Sequence, residues 1–251
     1  MKKSKHFYTD WMFILTIIFI LSSLILYILH FYLFHDLHHI ILYFIGDIAF
    51  LPVETLLTAF VLHRLLEIRD KKEKLKKLNM VIGTFFSEAG NELIRDIFAM
   101  DNESGRIKPV LACNASWKDK NYQEAKVFAS GYTGVIIYEA GNLKKLKAFL
   151  ESKKGFLLSL LENPILLEHD TFTDLLWAVF HLAEELSYRK SLDGISGNDR
   201  DHINGDIKRV YSRLLGEWLL YMRHLQADYP YLFSLAVRLN PFNPDAKAEI
   251  E

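Results

Sequence analysis

Two carboxylates interrupt an apolar stretch that is long enough to cross a membrane. Asp47 and Glu54 lie within residues 40–66 and are seven residues apart, so a helix places both on one face, with Thr58 one turn further along. An acidic side chain at the middle of a bilayer costs about 2.5–3.5 kcal/mol on insertion scales. Such residues are rarely kept in a span without a use, and this pair predicts a face that binds or conducts cations.

Pro52 lies between the two acids and has no backbone N–H to donate, so it predicts a bend there. A hairpin of two helices covers the acidic face on one side at most, whereas several copies would turn it toward a shared axis. Our first interpretation is therefore a pore lined by Asp47, Glu54, Thr58 and Pro52. In the alternatives, Asp47 is hydrated near the outer surface, or each acid is protonated or bonded to hydroxyls of the preceding apolar segment: Thr16, Ser22 and Ser23.

Histidines and carboxylates also recur at helical spacing in the second half of the chain. His181 precedes Glu184 and Glu185 by three and four residues, and His202 precedes Asp206 by four. Helical bundles hold iron, manganese or zinc with such pairs facing inward, so the pattern predicts a divalent metal site of His181, Glu184, His202 and Asp206. The order His-x-x-Glu is the reverse of the ferritin-like motif. The alternative is an assortment of surface charges and helix caps, which a 24% charged chain supplies freely.

A second candidate metal pair surrounds the connection between the apolar segments. His35 and His39 have i,i+4 spacing and suit a shared divalent metal or a response to external pH. The alternative is that these histidines only cap the spans in the interfacial layer. Two more pairs have helical spacing: Glu88 with Glu92, and Glu217 with His224.

The elements that position these residues begin with a transmembrane hairpin over residues 11–66. The spans are predicted at about 11–34 and 40–62, and the connection between them is short enough to force an antiparallel pair. The first span is too long for a signal-peptide core, and no small-residue cleavage site follows it. Basic residues flank the outer ends, so both termini are expected in the cytoplasm of a prokaryotic cell, with a cytoplasmic segment at 1–10. The basic residues are Lys2, Lys3, Lys5, Arg64, Arg69, Lys71, Lys72, Lys74, Lys76 and Lys77.

A helical stalk is predicted at residues 63–86, because apolar residues alternate three and four apart beyond the second span. The seam contains two polar interruptions, of which Asn79 would fix the register of an oligomer. The alternative is an amphipathic helix that packs on its own chain's bundle. The seam consists of Leu65, Ile68, Lys72, Leu75, Asn79, Ile82 and Phe86.

Residues 87–239 are predicted to form a cytoplasmic bundle of five or six helices, followed by a mobile tail at 240–251. Thr171 opens a sequence resembling a capping box, and Ser116 and Asn142 are expected to cap two other helices. Residues 135–138 have strand propensity but no evident partner, so they are helical or a short connector. The chain is all-α, and the absence of a glycine-rich phosphate loop gives no support to nucleotide binding.

Composition limits the class of protein. The net charge of −1 over 251 residues gives no dominant basic face and argues against nucleic acid as the partner. The single cysteine, Cys113, excludes an intrachain disulfide and is expected to pack as a small apolar residue. The expected partners are the lipid bilayer, further copies of the chain and inorganic cations. No catalytic constellation or organic cofactor is predicted.

Several segments of the chain resemble a family of uncharacterised prokaryotic two-span membrane proteins. They are LPVETLLTAFVLHRLLEIRDKKEKLKKLNMVIGTFFSEAGNELI, DLLWAVFHLAEELSYR and YPYLFSLAVRLNPF. The resemblance covers the chain from about residue 40 onward, implies the two-span topology and gives no residue a role. Our leading hypothesis is a homo-oligomeric, multi-pass membrane protein forming a cation channel with a cytoplasmic regulatory domain. The alternatives are a membrane-anchored sensing or protein-interaction module and a membrane-bound helical metalloprotein.

Overall fold

The computed structural model describes residues 3–166, 169–243 and 245–249, with side chains from residue 11 onward. The described chain is helical, as expected of an all-α protein, and it divides into two compact units, Met1–Asp70 and Lys71–Glu251. The predicted bundle began at residue 87, whereas the second unit already includes residues 71–86 of the predicted stalk.

The first unit contains α1 (Lys3–Phe34) and most of the residues of α2 (Leu37–Phe85). The two helices are antiparallel, because Tyr27 lies edge-on to Phe44 and the ring of His30 stacks on that of His39. Both helices are long and apolar enough to cross a membrane. No side chain between residues 11 and 66 is buried, so this part of the chain has no core of its own.

The predicted metal pair, His35 and His39, lies at the connection between α1 and α2. α1 ends at Phe34 and α2 begins at Leu37, so His35 lies outside both helices, with a positive φ of 53°. His39 donates its backbone N–H to Asp36 Oδ1 over 3.0 Å at the start of α2, and its ring packs on that of His30. Helical spacing therefore does not apply to His35 and His39, because the chain turns between them.

The second unit is an assembly of helices that follows the end of α2. A single π-helical turn, Phe86–Gly90, continues α2 into α3. The later helices, in chain order, are α3 (Asn91–Met100), α4 (Ser104–Ile107), α5 (Asp119–Gly131), α6 (Ala140–Leu161), α7 (Asp170–Tyr188), α8 (Gly197–Asp228) and α9 (Pro230–Arg238).

The π-helical turn allows two consecutive aromatic side chains to enter the core. Neighbouring residues of an α-helix point about 100° apart. Phe85 and Phe86 are nevertheless both fully buried, the first edge-on to Phe172 at 5.3 Å between ring centroids and the second stacked on Tyr221 at 5.0 Å. A Cβ at Gly90 would lie 2.6 Å from the Phe86 ring, so a side chain has no room there.

The core is organised around α8, which packs against α3, α5, α7 and α9. Trp218 of α8 is 1% exposed and lies edge-on to Phe242 at 4.9 Å between ring centroids. The tail was expected to be mobile from residue 240, but Asn240 and Phe242 are both buried. The Asn240 side-chain amide donates to the Leu111 carbonyl over 3.0 Å, and its oxygen accepts from the Phe242 backbone N–H.

The predicted stalk seam is partly buried within its own chain. Ile82 and Phe86 belong to the core of the second unit, and Asn79 bonds to His224 Nδ1 over 3.1 Å. These three positions therefore pack as an amphipathic helix on its own bundle, which was the alternative to an oligomeric stalk. Leu65 and Leu75 remain exposed in the chain.

Helix starts and connectors differ from the predictions in detail. The N-cap of α7 is His169, whose ring nitrogen accepts from the Phe172 backbone N–H over 3.2 Å, so Thr171 lies inside the helix. Asn142 lies within the first turn of α6 and accepts from the Glu139 N–H. Residues 135–137 are an extended connector, in which Ile137 donates its N–H to the carbonyl of Met100.

Candidate metal centre

Helices α7 and α8 form an antiparallel hairpin that brings two histidines and two carboxylates together. Arg189 closes the hairpin, because its guanidinium bonds to Asp199 at 2.6 and 3.1 Å and to Glu185 at 2.7 Å. One turn further from the connection, His202 faces Glu185, and a turn beyond that His181 faces Asp206. The i,i+4 spacing on each helix therefore places these side chains on the facing surfaces of α7 and α8, on successive turns.

Three potential ligand atoms lie close together at the centre of this group. Asp206 Oδ2 lies 3.5 Å from the Nε2 atoms of both His181 and His202, and all three atoms lie within 4.8 Å of one another. Ligands bonded to zinc at 2.0–2.1 Å in a tetrahedral site are roughly 3.3 Å apart. The two nitrogen-to-oxygen distances are close to that value, so these three residues fit the ligand set of one divalent ion.

Asp206 is the buried member of the cluster, at 2% exposure. Its Oδ1 accepts from the Arg209 guanidinium over 2.8 Å. Its Oδ2 has no hydrogen-bond donor among the described residues, although it is buried and directed at the two imidazoles. A buried carboxylate oxygen without a partner is costly, and a bound cation is one way in which proteins stabilise it.

The histidines form the open side of the site. Their side chains are 45% exposed for His181 and 54% exposed for His202. Two imidazoles and one carboxylate are the ligand set of non-haem iron(II) sites with open positions, and imidazole also suits zinc, copper and nickel. The arrangement therefore leaves coordination positions for water or a small ligand.

Glu185, and not the predicted Glu184, is the glutamate that lies beside the two histidines. Glu185 Oε2 lies 3.6 Å from His202 Nε2, and Glu185 Oε1 lies 4.0 Å from His181 Nε2. The antiparallel pairing with α8 therefore brings the i,i+4 residue into ion-pair distance of both histidines, and Glu184 has no such contact among the described residues. Arg189 lowers the pKa of Glu185 by hydrogen bonding and charge, so the carboxylate is available as a fourth ligand.

Arg189 and Arg209 are residues of the site that the sequence analysis did not identify. Arg189 orients Glu185, and Arg209 occupies the second oxygen of Asp206. The signal was present, because Arg189 follows Glu185 by four residues and Arg209 follows Asp206 by three, both of which are helical ion-pair spacings.

Replacing Arg189 with glutamine is expected to lower the free energy of unfolding by about 1–2 kcal/mol at neutral pH, since two carboxylates lose a charged donor. Arg189 lowers the pKa of both Glu185 and Asp199. Its contribution is therefore complete above the ordinary carboxyl pKa values and is lost as the pH falls through the lowered ones. Urea unfolding of both proteins at about pH 7 and pH 3, followed by circular dichroism, measures the difference.

An equal difference at both pH values would contradict a role for these ion pairs. Lys144→Gln is the matched control, because Lys144 bonds to Asp193 at 2.7 Å on an exposed surface. Surface ion pairs of that kind contribute little, so this variant is expected to stay within about 0.5 kcal/mol of the parent protein.

The other acid and histidine pairs do not assemble as metal sites among the described residues. Glu88 bonds to Lys153 at 3.2 Å, and His224 bonds to Asp228 at 2.8 Å. Glu217 is buried at 4% exposure, and burial raises its pKa. Cys113 is also buried, which raises its pKa to about 12, so the thiol packs as the apolar residue that the sequence predicts.

The two acids of the pore hypothesis lie on the exposed surface of α2. Asp47 and Glu54 are exposed, and neither has an ion-pair or hydrogen-bond partner among the described residues. Thr58 is also exposed, and Pro52 lies inside the helix. The hydroxyl of Thr16, one of the alternative partners, donates instead to the Met12 carbonyl over 2.8 Å.

Two family models match this chain and together cover most of it. Residues 3–66 match the family described as the MJ1433 N-terminal helical domain, and residues 74–238 match the C-terminal helical domain of Uncharacterized protein MJ1433. The chain is 44% identical over 233 residues to Uncharacterized protein MJ1433 of Methanocaldococcus jannaschii, which covers 93% of this chain and 94% of the relative. No solved structure matches.

Proposed function

Because this chain belongs to the MJ1433 family, with one N-terminal and one C-terminal helical domain, the function has to be inferred from its own residues. We propose that it is a membrane-anchored helical protein that binds one divalent transition-metal ion in its C-terminal domain. His181, His202 and Asp206 are the ligands, and Glu185 is available as a fourth. The bound ion is then either the signal that a sensing module detects or the metal cofactor of a metalloprotein.

The observation that carries this proposal is the unpaired oxygen of Asp206. Asp206 Oδ2 is buried, lacks a hydrogen-bond donor and lies 3.5 Å from two imidazole nitrogens. Arg209 already bonds to the other oxygen, so it does not compensate the one that faces the histidines. A cation at the centre of the group would bond to this oxygen and to both Nε2 atoms at once.

The membrane part of the proposal is supported by the first unit. Its two helices are long and apolar enough to cross a bilayer, and their side chains are exposed in the chain. Such a surface needs either lipid or another protein to cover it. Basic residues flank the outer ends, and the positive-inside rule then assigns the metal-binding unit to the cytoplasmic side of the cell membrane.

The proposal is tested by metal titration of the full-length protein in a mild detergent. After treatment with a chelator and its removal, Co²⁺ is added and its visible absorption is followed, then Zn²⁺ is added in competition. One equivalent of Co²⁺ with imidazole and carboxylate ligation is expected, displaced by one equivalent of Zn²⁺. Failure of the protein to take up a stoichiometric amount of either ion would overturn the proposal.

A cation channel is the second candidate, and one observation favours it. Asp47 and Glu54 have no ion-pair or hydrogen-bond partner among the described residues, so in a membrane each carboxylate would need a polar partner from another copy of the chain. Symmetric association around the acidic face would supply it, with Thr58 and Pro52 on the same axis. The protein would then be a homo-oligomer that conducts inorganic cations.

The channel is tested by cation flux in liposomes that contain the full-length protein. The double variant Asp47→Asn, Glu54→Gln is expected to lose selectivity for cations over anions, because the acidic rings would be neutralised. Asp36→Asn, outside the apolar segments, is the matched control. A monomer in a native membrane mimic, or flux with unchanged selectivity in the double variant, would contradict the channel.

A further inference from the structure

A groove on the second unit lies between the last turns of α2 and the ends of α8 and α9. It consists of two adjoining cavities of about 460 and 510 Å³, which share Asn79, His224 and Tyr229 in their walls. The first cavity has mostly apolar walls, and the second includes two lysines. The groove is therefore elongated, with an apolar end and a basic end.

The apolar end is open because a glycine lies in its wall. Met80, Leu225 and Leu232 line it together with the ring of Tyr221. A Cβ at Gly83 would lie 3.5 Å from Tyr221 Cε2, so alanine fits there without displacing the ring, whereas a longer side chain would fill the space. Met80 is 62% exposed, which leaves apolar surface uncovered along the groove.

The basic end carries Lys72 and Lys76, which have no carboxylate partner among the described residues. The basic end also contains one carboxylate, Asp228, whose Oδ2 lies 2.8 Å from His224 Nδ1, and Glu88 at the apolar end bonds to Lys153 at 3.2 Å. Two lysines against one carboxylate leave a net positive charge at the basic end. An occupant with an anionic head and an apolar body matches both ends.

We propose that this groove binds one anionic phospholipid. Its phosphate lies at Lys72 and Lys76, and the first part of an acyl chain lies along Met80, Tyr221 and Leu225. Lys72 is only six residues beyond Leu66 in the sequence, and basic clusters next to a membrane span attract anionic headgroups. Met80 lies further along α2 from Leu66 than the lysines do, so the bound molecule is a lipid that has left the bilayer. The inference rests on the proposed membrane attachment, and it is independent of the metal site.

The test measures lipid retention by the full-length protein in a neutral detergent with native mass spectrometry. One phosphatidylglycerol molecule is expected to bind at least about tenfold more tightly than phosphatidylcholine. Each lysine near an anionic headgroup contributes about fivefold, so Lys72→Gln with Lys76→Gln is expected to weaken binding by about 25-fold. The matched control is Lys108→Gln with Lys120→Gln, two exposed lysines outside the groove, which is expected to bind as the parent does.

A second pair of variants separates the groove from general surface attraction. Gly83→Leu fills the apolar end and is expected to abolish retention of the lipid, whereas Gly83→Ala retains it. Circular dichroism of each variant checks that the fold is intact. Equal binding of neutral and anionic lipid, equal loss in the lysine control, or unchanged binding by Gly83→Leu would overturn the groove proposal. Competition by inorganic phosphate at concentrations equal to those of the lipid would assign a phosphate site instead and would also overturn it.

Membrane fractionation distinguishes failure of the groove proposal from failure of the proposed membrane attachment. A chain that is released from membranes by alkaline carbonate lacks the proposed attachment, whatever its lipid affinity in detergent. If the chain stays in the membrane but retains no anionic lipid, the proposed attachment holds and only the groove proposal is overturned.

Discussion

Replacing Asp206 with asparagine is expected to lower the affinity of the protein for Co²⁺ or Zn²⁺ by at least about 100-fold. Removing a residue that only orients a metal ligand costs about 10- to 100-fold in metal affinity, and Asp206 would supply the central, buried oxygen of the proposed site. His181→Ala and His202→Ala are expected to have effects of similar size, because each removes one of the three proposed ligands. Isothermal titration of the chelator-treated, full-length protein gives the affinities.

Matched controls for these variants come from the same kinds of residue outside the site. Asp174→Asn changes an exposed acid of α7, and His63→Ala changes an exposed histidine whose partner is Glu67. Both are expected to bind metal as the parent protein does. Tight binding that survives in Asp206→Asn, or equal losses in the two controls, would show that the metal binds elsewhere.

The unfolding temperature gives an independent readout of the same site. Metal that binds the folded state alone stabilises it by about 2.7 kcal/mol when the free ion is at 100 times its dissociation constant. Zn²⁺ is therefore expected to raise the melting temperature of the parent protein and of both controls. It is expected to change that of Asp206→Asn little, because 100-fold weaker binding reduces the stabilisation at the same ion concentration to about 0.4 kcal/mol. A purely structural role of Asp206 would change the melting temperature of the apo-protein and leave the metal response intact.

Replacing Trp218 with alanine is expected to lower the free energy of unfolding of the second unit by about 3–5 kcal/mol. Trp218 is 1% exposed, belongs to the central helix α8 and packs against Phe242. Since domains of this size are stable by about 5–15 kcal/mol in total, the variant is expected to be close to unfolding at physiological temperature. Urea unfolding followed by circular dichroism measures the loss.

Trp177→Ala is the control for this variant, because Trp177 is 57% exposed on α7. Its removal is expected to change stability by less than about 1 kcal/mol, since surface substitutions leave no cavity. Losses of the same size in both variants would contradict the position of the core around α8.

Helical spacing was sufficient to predict that His181, His202 and Asp206 lie close together. Each pair repeats at an interval that keeps side chains on one helix face, and the short polar connection after α7 favours an antiparallel partner. The sequence did not decide between Glu184 and Glu185. Both spacings are helical, and the choice depends on how α7 is rotated against α8, which is a property of packing.

The structure differs from the expectations at the hairpin connection and in the tail for local reasons. His35 and His39 were treated as helical neighbours, but the chain turns between them, and no glycine or proline marked that turn. Residues near a chain end are mobile unless something ties them down. Here Asn240 bonds to Leu111 and Phe242 fills space beside Trp218, contacts between distant segments that periodicity does not reveal.

The π-helical turn at Phe86–Gly90 has a consequence for the rotational phase of the helix around it. A chain one residue shorter at this point would close an ordinary α-helix, and each residue of an α-helix turns by about 100°. Leu78 and Ile82 would then rotate away from the side occupied by Leu93 and Ile97, although all four are buried now. The number of residues in this single turn, more than their chemical nature, determines which face of α2 points inward.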